Sequence, residues 1–352
     1  MRSSVAEDQP VPPPKSHVEA LDGLRGVAAI VVMLHHAKFG NSHGFLAVDF
    51  FFCLSGFVIA MAYERKLAEG LGFGRYVALR LFRIYPMIVV GALFGLLLAA
   101  GNPETAGLRS LGELAVLRAF GAHLLLIPFA GQSMAYVLNN AHWSIAYELA
   151  VNAFHGAFAR WLTDRVVFGL IAVCGAILIG GGLSVGTIHL GFDQRYIGIA
   201  LARTGYSFFV GVLIFRHRGT IAAALPKVGF WFLAGALVVL ATIHNLDRPF
   251  AWIEPVRQLG TAMVLNPLIV ALGLKCGASG RVVRWLGAAS YPLYAIHVPL
   301  IYWALYAMTP LFSGLALKAV MLAWCVPVLL LALLLGLGVD RPLNRVRKRR
   351  FG

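Results

Sequence analysis

Charged residues are scarce in this chain. Asp, Glu, Lys and Arg make up 13% of its 352 residues, whereas hydrophobic residues make up 59%. Soluble domains carry about twice this charged fraction. Apolar runs of membrane-spanning length recur from Val27 to Val339, and the segments between them are too short to form a separate soluble domain. The composition therefore excludes an ordinary soluble protein and predicts an all-α polytopic membrane protein.

Acidic residues are particularly few. The chain has 15 Asp and Glu against 30 Lys and Arg, which leaves a net charge of +15. In a soluble protein this excess would indicate nucleic acid as a partner. Here the basic residues lie mainly in short loops and in the C-terminal segment NRVRKRRFG, as is typical of cytoplasmic loops that face anionic lipid headgroups. We therefore expect membrane lipids, and no nucleic acid, as partners.

Several chemical signatures are also missing. The chain has only four cysteines and no C-x-x-C or Cys/His spacing, so no metal site is expected. It lacks a glycine-rich phosphate loop. The N-terminal segment has no apolar signal-peptide core, so the first apolar run is interpreted as a retained helix. These absences narrow the chemistry to a histidine-based site with arginine contacts to phosphate.

Ten apolar runs predict ten transmembrane helices. They lie near residues 21–38, 45–63, 84–101, 140–161, 166–189, 197–215, 229–244, 258–275, 291–309 and 315–338. The polar, proline-rich residues 1–19 are predicted to form a disordered cytoplasmic tail. Residues 20–340 then form the membrane domain, and residues 341–352 a basic cytoplasmic tail.

A weaker apolar segment near 111–129 decides the predicted topology, because it also contains Glu113, Arg118 and His123. If it crossed the membrane fully, the later basic loops would all face outward. If it lies at the interface or re-enters, they face inward. The excess of Lys and Arg in cytoplasmic loops therefore favours ten spans with both termini in the cytoplasm.

The first helix carries two polar residues on one face. His36 follows Arg25 by eleven residues, about three helical turns, so the two lie roughly 16 Å apart on nearly the same face. His35 points about 100° away and is a secondary candidate. Arg25 as a membrane-edge anchor and His36 as a structural histidine are the alternatives. A neutral imidazole at His36 has the chemistry of a general base.

The second helix begins with Asp49, in the string A-V-D-F-F-F-C-L-S-G-F. This carboxylate follows a short outer loop and is a candidate for orienting an imidazole, with a helix-capping role as the alternative. Ser55 and Gly56, further along the same string, are interpreted as residues that permit close helix packing.

The string R-L-F-R-I-Y-P gives a candidate phosphate site at the cytoplasmic membrane edge. Arg80 and Arg83 are spaced i and i+3, so they share a helix face and are arranged to clamp phosphate groups. A lipid-anchoring role is the alternative. Tyr85, in the same string, is a candidate supporting residue.

Two further strings place polar groups inside apolar runs. Glu148, in H-W-S-I-A-Y-E, lies more than a turn inside its run and shares a helix face with Ser144. Trp143 is either a supporting residue or a member of the interfacial aromatic belt. In S-Y-P-L-Y-A-I-H-V-P, Tyr294 and His297 lie on one side of the helix, with aromatic packing as the alternative for the tyrosine.

These strings together, in this order, resemble the acyltransferase-3 family of bacterial integral membrane acyltransferases. The matching strings are L-D-G-L-R-G, G-F-L-A-V-D-F-F-F-C-L-S-G-F, R-L-F-R-I-Y-P, H-W-S-I-A-Y-E and S-Y-P-L-Y-A-I-H-V-P. The resemblance implies transfer of an acyl group, often acetyl, from acyl-coenzyme A to a hydroxyl of a cell-surface or exported glycan or of a glycoside. It further implies a multi-pass protein of the bacterial inner (plasma) membrane, with acyl-CoA as co-substrate and no permanently bound cofactor.

The resemblance matches His36 to the essential histidine of the family, Arg25 to its first-helix arginine, and Arg80 and Arg83 to its R-x-x-R pair. We expect His36 to deprotonate a sugar hydroxyl that attacks the thioester directly, with an acyl-histidine intermediate as a less favoured variant. Glu148 or Asp49 would orient His36 or the acceptor.

Two other classes of protein use similar residues. A transporter or flippase of an anionic lipid-linked glycan would use the same arginines and histidines as substrate contacts. A membrane sensor or structural subunit would have no chemistry, but the buried glutamate and histidines argue against it. A transporter is favoured by broken helices and an internal repeat, and neither is clear in the sequence.

Overall fold

The computed structural model describes residues 15–39, 43–101, 112–130, 132–242 and 252–351. Its described residues form fourteen α-helices, one isolated β-bridge and no β-strand. The helices are α1 Lys15–His36, α2 Ala47–Ala68, α3 Phe73–Gly101, α4 Gly112–Leu124, α5 His142–Phe158, α6 Asp164–Val185, α7 Ile197–Arg216, α8 Arg218–Ala224, α9 Phe230–Thr242, α10 Ile253–Gly260, α11 Asn266–Gly273, α12 Arg281–Met308, α13 Gly314–Leu335 and α14 Arg341–Phe351. The predicted all-α class is confirmed.

Each of the ten predicted apolar runs coincides with a helix or, for 258–275, with α10 and α11 joined by a π-helical turn. Six helical segments are long and apolar enough to cross a membrane: α2, α3, α6, α7, the α10–α11 segment, and α13 with its continuation into α14. Helices α5 and α9, at 17 and 13 residues, are shorter than this standard requires. The count of ten spans and the orientation of the termini therefore stay predictions.

Three segments lie outside the ten predicted spans: the N-terminal tail, the weak apolar segment near 111–129 and the basic C-terminal segment. Most of the predicted N-terminal tail, residues 1–14, lies outside the described residues, and residues 15–19 begin α1. The weak apolar segment near 111–129 contains α4, whose 13 residues span about 20 Å, too short to cross a hydrocarbon core about 30 Å thick. The basic segment after Asp340 forms α14.

The bundle is organised around two closely packed helix pairs. Helix α1 lies along α12, and α2 lies along α7. At the α2–α7 contact, an added Cβ at Gly56 would lie 1.8 Å from the Phe208 carbonyl oxygen, and one at Gly211 would lie 1.9 Å from that of Cys53. Only glycine allows this approach, so the close-packing interpretation of Gly56 fits the structure.

A buried ion pair joins α2 to α7. Arg203 donates from Nε to Oδ1 of Asp49 at 2.8 Å and from Nη2 to Oδ2 at 2.6 Å, and both side chains are at most 1% exposed. The same guanidinium donates to the carbonyls of Ile188 and Phe45. One arginine therefore holds the start of α2, the middle of α7 and the two connections beside them.

We predict that Arg203→Met destabilises the protein by about 3–5 kcal/mol, because it leaves the Asp49 carboxylate buried without its cation. The double variant Asp49→Asn/Arg203→Met should recover part of this loss, since no uncompensated charge then stays in the bundle. Thermal unfolding in detergent measures both effects. Arg65→Met, which breaks the exposed Arg65–Glu69 pair, is the control and should change the melting temperature little. A double variant no more stable than Arg203→Met would contradict the prediction.

Candidate active site

An arginine-lined cavity lies between α1, α2, α3, α5 and α12. It encloses about 940 Å³ when the part open to solvent is included, and its lining includes the three predicted phosphate contacts, Arg25, Arg80 and Arg83, together with Glu148. We call it the arginine cavity. Residues from five helices thus come together at the place where the sequence predicts binding of phosphate groups.

The hydrogen-bond donors of the arginine cavity are only partly used by the protein. The Glu148 carboxylate accepts a hydrogen bond from Ser55 at 2.5 Å and lies 3.4 Å from Nη2 of Arg80. Arg83 donates to Asp340 at 2.6 Å, and Nε of Arg25 donates to Ser290 at 2.9 Å. The Nε of Arg80 is buried and has no hydrogen-bond partner in the part of the chain that the structure describes. Because buried donors are nearly always satisfied, this nitrogen fits a ligand-binding role.

A histidine pair lies where α1 and α12 meet. Nε2 of His297 is 3.2 Å from Nδ1 of His36, and the ring centroids are 4.9 Å apart. Nδ1 of His297 lies 3.0 Å and 2.9 Å from the carbonyl oxygens of Leu293 and Tyr294. Carbonyls only accept, so this pattern assigns the proton of a neutral His297 to Nδ1 and makes its Nε2 an acceptor.

The same reasoning identifies the ring nitrogen of His36 that carries the proton. Its Nδ1 faces two acceptors, Nε2 of His297 and the carbonyl of Val32 at 3.0 Å, so it carries the proton. The lone pair of a neutral His36 is consequently on Nε2. An imidazole held with its Nε2 unprotonated is prepared to accept a proton, which is what a general base requires.

Tyr294 connects the two parts of the site. It lines the arginine cavity, and its ring centroid lies 5.6 Å from that of His297. Its hydroxyl is 2.6 Å from that of Ser144, and Ser144 donates in turn to the carbonyl of Ala141. The predicted residues Ser144, Tyr294 and His297 therefore form one continuous group between the cavity and His36.

A proline in α12 has a visible consequence beside this group. Pro299 has no N–H, so it cannot make the helical hydrogen bond to the carbonyl of Ala295. That carbonyl instead accepts from Nδ2 of Asn139 at 2.7 Å and from Nε2 of His142 at 3.0 Å. His123 supports this arrangement, because its Nε2 lies 2.7 Å from Nδ1 of His142. The backbone between Tyr294 and His297 is thus fixed by side chains from the α5 region.

Two predicted orienting residues lie elsewhere than expected. Asp49, expected to orient an imidazole, has both carboxylate oxygens bound by Arg203, because a buried carboxylate is paired most strongly by a buried guanidinium. Glu148, expected to act on His36 or the acceptor, contacts Ser55 and Arg80 in the arginine cavity instead. The residue that contacts His36 is His297.

The remaining candidates are arranged around the site. His35 contacts Phe45 and His189 by ring edges, on the side of α1 away from His297. Trp143 is 7% exposed and packs against Phe52, so it does not form part of an exposed aromatic belt. Tyr85 is 36% exposed and does not line the arginine cavity.

Sequence reasoning missed several residues that position this site. Arg203 is an ionisable residue inside an apolar run, the same signal that selected Glu148. Ser55, interpreted as a packing residue, also donates to Glu148. Asn139 and His142 belong to the string N-N-A-H-W-S, but their partner is a carbonyl whose availability depends on Pro299. A tertiary contact of that kind leaves no local signal in the sequence.

The fold and the site define a helical membrane protein with an arginine-lined cavity and a buried histidine pair beside it. A family model described as an acyltransferase domain, Acyl_transf_3, matches residues 18–339. The chain therefore belongs to this acyltransferase family, and the resemblance noted in its sequence is confirmed. No solved structure matches the chain.

Two relatives illustrate the range of this similarity. "Protein 2 in picA locus" of Rhizobium radiobacter is 36% identical over 182 residues, which cover 47% of this chain and 95% of that protein. The peptidoglycan O-acetyltransferase OatA of Listeria monocytogenes serovar 1/2a is 27% identical over 320 residues, which cover 82% of this chain. The match spans 50% of the length of OatA.

We predict that His142→Ala lowers the stability by about 1–3 kcal/mol, because the Ala295 carbonyl loses a buried donor. The cost should shrink in a Pro299→Ala background, where residue 299 regains the N–H that bonds this carbonyl in an ordinary helix. Melting temperatures of the four proteins of this double-mutant cycle measure the coupling.

Pro292→Ala is the matched control, because it restores a donor to the Ala288 carbonyl, which lies about two helical turns before the carbonyl that His142 binds. It should not rescue His142→Ala. An equal cost of His142→Ala in the wild-type and Pro299→Ala backgrounds would refute the proposed exchange of donors.

Proposed function

We propose that the protein is a membrane O-acyltransferase that moves an acyl group, acetyl in the first instance, from acyl-CoA to a hydroxyl of a carbohydrate. The main support for this proposal is the hydrogen-bond chain from the carbonyls of Leu293 and Tyr294 through His297 to His36. This chain leaves the lone pair of a neutral His36 on Nε2, where it is available as a base. The membership of the acyltransferase family supports acyl transfer over transport of a lipid-linked glycan. The peptidoglycan O-acetyltransferase among the relatives supports a carbohydrate acceptor.

The reaction begins with proton transfer from the acceptor hydroxyl to Nε2 of His36. The hydroxyl oxygen attacks the thioester carbonyl, the carbon–sulfur bond breaks, and the coenzyme A thiolate leaves. The imidazolium of His36 returns the proton to this thiolate, so the products are an ester and free coenzyme A. His297 keeps His36 in the required tautomer throughout by accepting from its Nδ1.

The arginine cavity is the proposed binding site of the donor. Coenzyme A carries a diphosphate and a 3′-phosphate, and guanidinium groups bind phosphate oxygens with charge-assisted hydrogen bonds. Arg25 and His36 stand roughly 16 Å apart along α1. The pantetheine arm, of the order of 15–20 Å, has the length to connect sites at this separation. Glu148 holds Arg80 on the cavity wall.

The proposed topology follows from the same arrangement. The arginine cavity meets α1 at Arg25, on the N-terminal side of His36, so a cytoplasmic donor requires that end of the bundle to face the cytoplasm. We propose ten spans, both termini in the cytoplasm, and a location in the bacterial inner membrane. The excess of Lys and Arg in the loops 64–83, 216–228 and 276–285 supports this orientation.

We predict that His36→Ala lowers the rate of acetyl transfer by about 10²–10⁴-fold, because the general base is lost. His297→Ala should lower it by roughly 10–100-fold, because His36 loses the partner that fixes its tautomer. The two effects should not add, since His297 acts through His36. Radiolabelled acetyl-CoA and membranes containing the protein provide the measurement.

His35→Ala is the control for these variants, because His35 is adjacent in sequence but points away from His297. It should cost less activity than either variant. If purified His36→Ala kept normal turnover, the assignment of the base would be wrong.

A separate prediction concerns the donor. Arg80→Ala should raise the KM for acetyl-CoA by roughly 10-fold or more, because a charge-assisted contact to phosphate is lost. Arg75→Ala is the matched control, since Arg75 is an exposed residue of the same helix that does not line the cavity. An unchanged KM in Arg80→Ala, with a normal value in the control, would remove Arg80 from the donor site.

A further inference from the structure

A second cavity opens beside the arginine cavity. It lies between the beginnings of α1 and α12, the arginine-bearing part of α3, and α14, and it encloses about 1300 Å³ when the part open to solvent is included. We call it the mouth cavity. Its lining includes five arginines: Arg25, Arg83, Arg284, Arg341 and Arg345.

The two cavities share part of their walls. Arg25, Val58 and Arg83 line both of them. A ligand that binds in the arginine cavity and continues past Arg25 and Arg83 therefore enters the mouth cavity. The two arginines at this boundary are among those that the sequence assigns to the donor.

The mouth cavity has more positive charge than its own carboxylates neutralise. Asp22 pairs with Arg25 at 3.1 Å, and Asp340 pairs with Arg83 at 2.6 Å. The third carboxylate, Glu19, lies 3.9 Å from Arg284, which is beyond hydrogen-bond distance. Within the described residues, Arg341 and Arg345 have no carboxylate partner.

The position of α14 is fixed independently of any ligand. The π-helical turn Gly336–Asp340 brings Asp340 to Arg83 at the start of this helix. Nη2 of Arg341 donates to the carbonyl of Arg284 at 2.9 Å, which joins α14 to α12. Arg341 and Arg345 are spaced i and i+4, so they lie on one face of α14. The helix predicted only as a basic tail is thus docked with arginines lining the cavity.

We propose that Arg284, Arg341 and Arg345 form a binding site for a phosphorylated nucleoside, namely the adenosine 3′-phosphate end of the donor. This inference rests on the proposed function, and it extends the donor site by one group of residues. The diphosphate lies near Arg25 and Arg83 at the boundary of the two cavities. The 3′-phosphate lies in the mouth cavity beside the two arginines of α14, half-buried Arg341 and exposed Arg345, which lack carboxylate partners among the described residues.

The same phosphate chemistry exists in the headgroup of an anionic lipid. The observations favour the nucleotide, because the arginines line a cavity that also contains Asp22 and Asp340 and continues into the donor site. A surface for lipid headgroups does not need this connection. Binding measurements in neutral and in anionic lipid distinguish the nucleotide from the lipid headgroup.

The first test compares three acetyl donors: acetyl-CoA, acetyl-dephospho-CoA, which lacks the 3′-phosphate, and acetyl-pantetheine, which lacks the nucleotide. In the variant Arg341→Gln/Arg345→Gln, the KM for acetyl-CoA should rise by roughly 10-fold or more, toward the value that acetyl-dephospho-CoA shows with the wild type. The KM for the other two donors should stay unchanged, which also shows that the variant is folded. Arg284→Gln should act in the same direction.

Arg349→Gln is the matched control, because Arg349 is an exposed arginine of α14 that does not line the mouth cavity. It should leave the KM for all three donors unchanged. An equal rise in KM for all three donors in Arg341→Gln/Arg345→Gln would overturn the proposal, because the arginines would then not recognise the 3′-phosphate.

The second test measures binding without catalysis. Adenosine 3′,5′-bisphosphate is titrated into the full chain in nanodiscs of neutral lipid and of anionic lipid. The proposal expects binding in neutral lipid that weakens by roughly 10-fold or more in Arg341→Gln/Arg345→Gln. If the variant binds the bisphosphate as the wild type does and loses only an effect of anionic lipid, the site is a lipid site and the proposal fails. If the protein binds the bisphosphate but transfers no acetyl group, the proposed function is wrong and the phosphate-binding site is still supported.

Discussion

The requirement that a buried charge be paired inside the protein governs this structure. Water is not available within an apolar bundle, so each carboxylate and guanidinium needs a partner on a neighbouring helix. Asp49 and Arg203 meet this requirement, because both carboxylate oxygens accept from the guanidinium and two more of its protons bond to backbone carbonyls. The pair in turn determines how α2 and α7 pack, and it fixes the connections at the end of the bundle where α1 terminates. Ion pairing thus supplies the frame that aligns the helices carrying the site.

Two groups in this bundle have hydrogen-bonding capacity that the described part of the protein does not use, and they indicate where a ligand would bind. Nε of Arg80 is buried without a partner among the described residues, and Nε2 of His36 carries the free lone pair of its imidazole. In a structural network each buried donor and acceptor has a partner within the protein. A site that binds and transforms a ligand has donors or acceptors left for the ligand. The first group suits an anionic ligand and the second suits a proton donor. This division of chemistry is what a transfer reaction between a phosphorylated donor and a hydroxyl requires.

The helices and the identity of most candidate residues could be predicted from the sequence, because apolar length and isolated charges are local signals. The spacing of Arg25 and His36 also gave their common helix face. The partners could not be predicted, since Arg203 rather than His36 binds Asp49, and Ser55 with Arg80 holds Glu148. Such pairings depend on which helices are neighbours. The role of Asn139 and His142 depends further on a carbonyl released by Pro299, which no pattern of polar residues reveals.

Helix α12 connects the proposed donor site to the proposed base. Ser290 contacts Arg25, and the ring of Tyr291 lies 5.2 Å from the guanidinium of Arg83, so the first part of the helix fixes the arginine cavity. Tyr294 lines that cavity, and His297 holds His36. Tyr294 and His297 follow Ser290 and Tyr291 at about one-turn intervals along the helix. A shift of α12 therefore moves the phosphate contacts and the base together. Asn139 and His142, whose side chains replace the missing N–H of Pro299, act at the junction of these two regions. A disturbed backbone there would separate the proposed base from the proposed donor site.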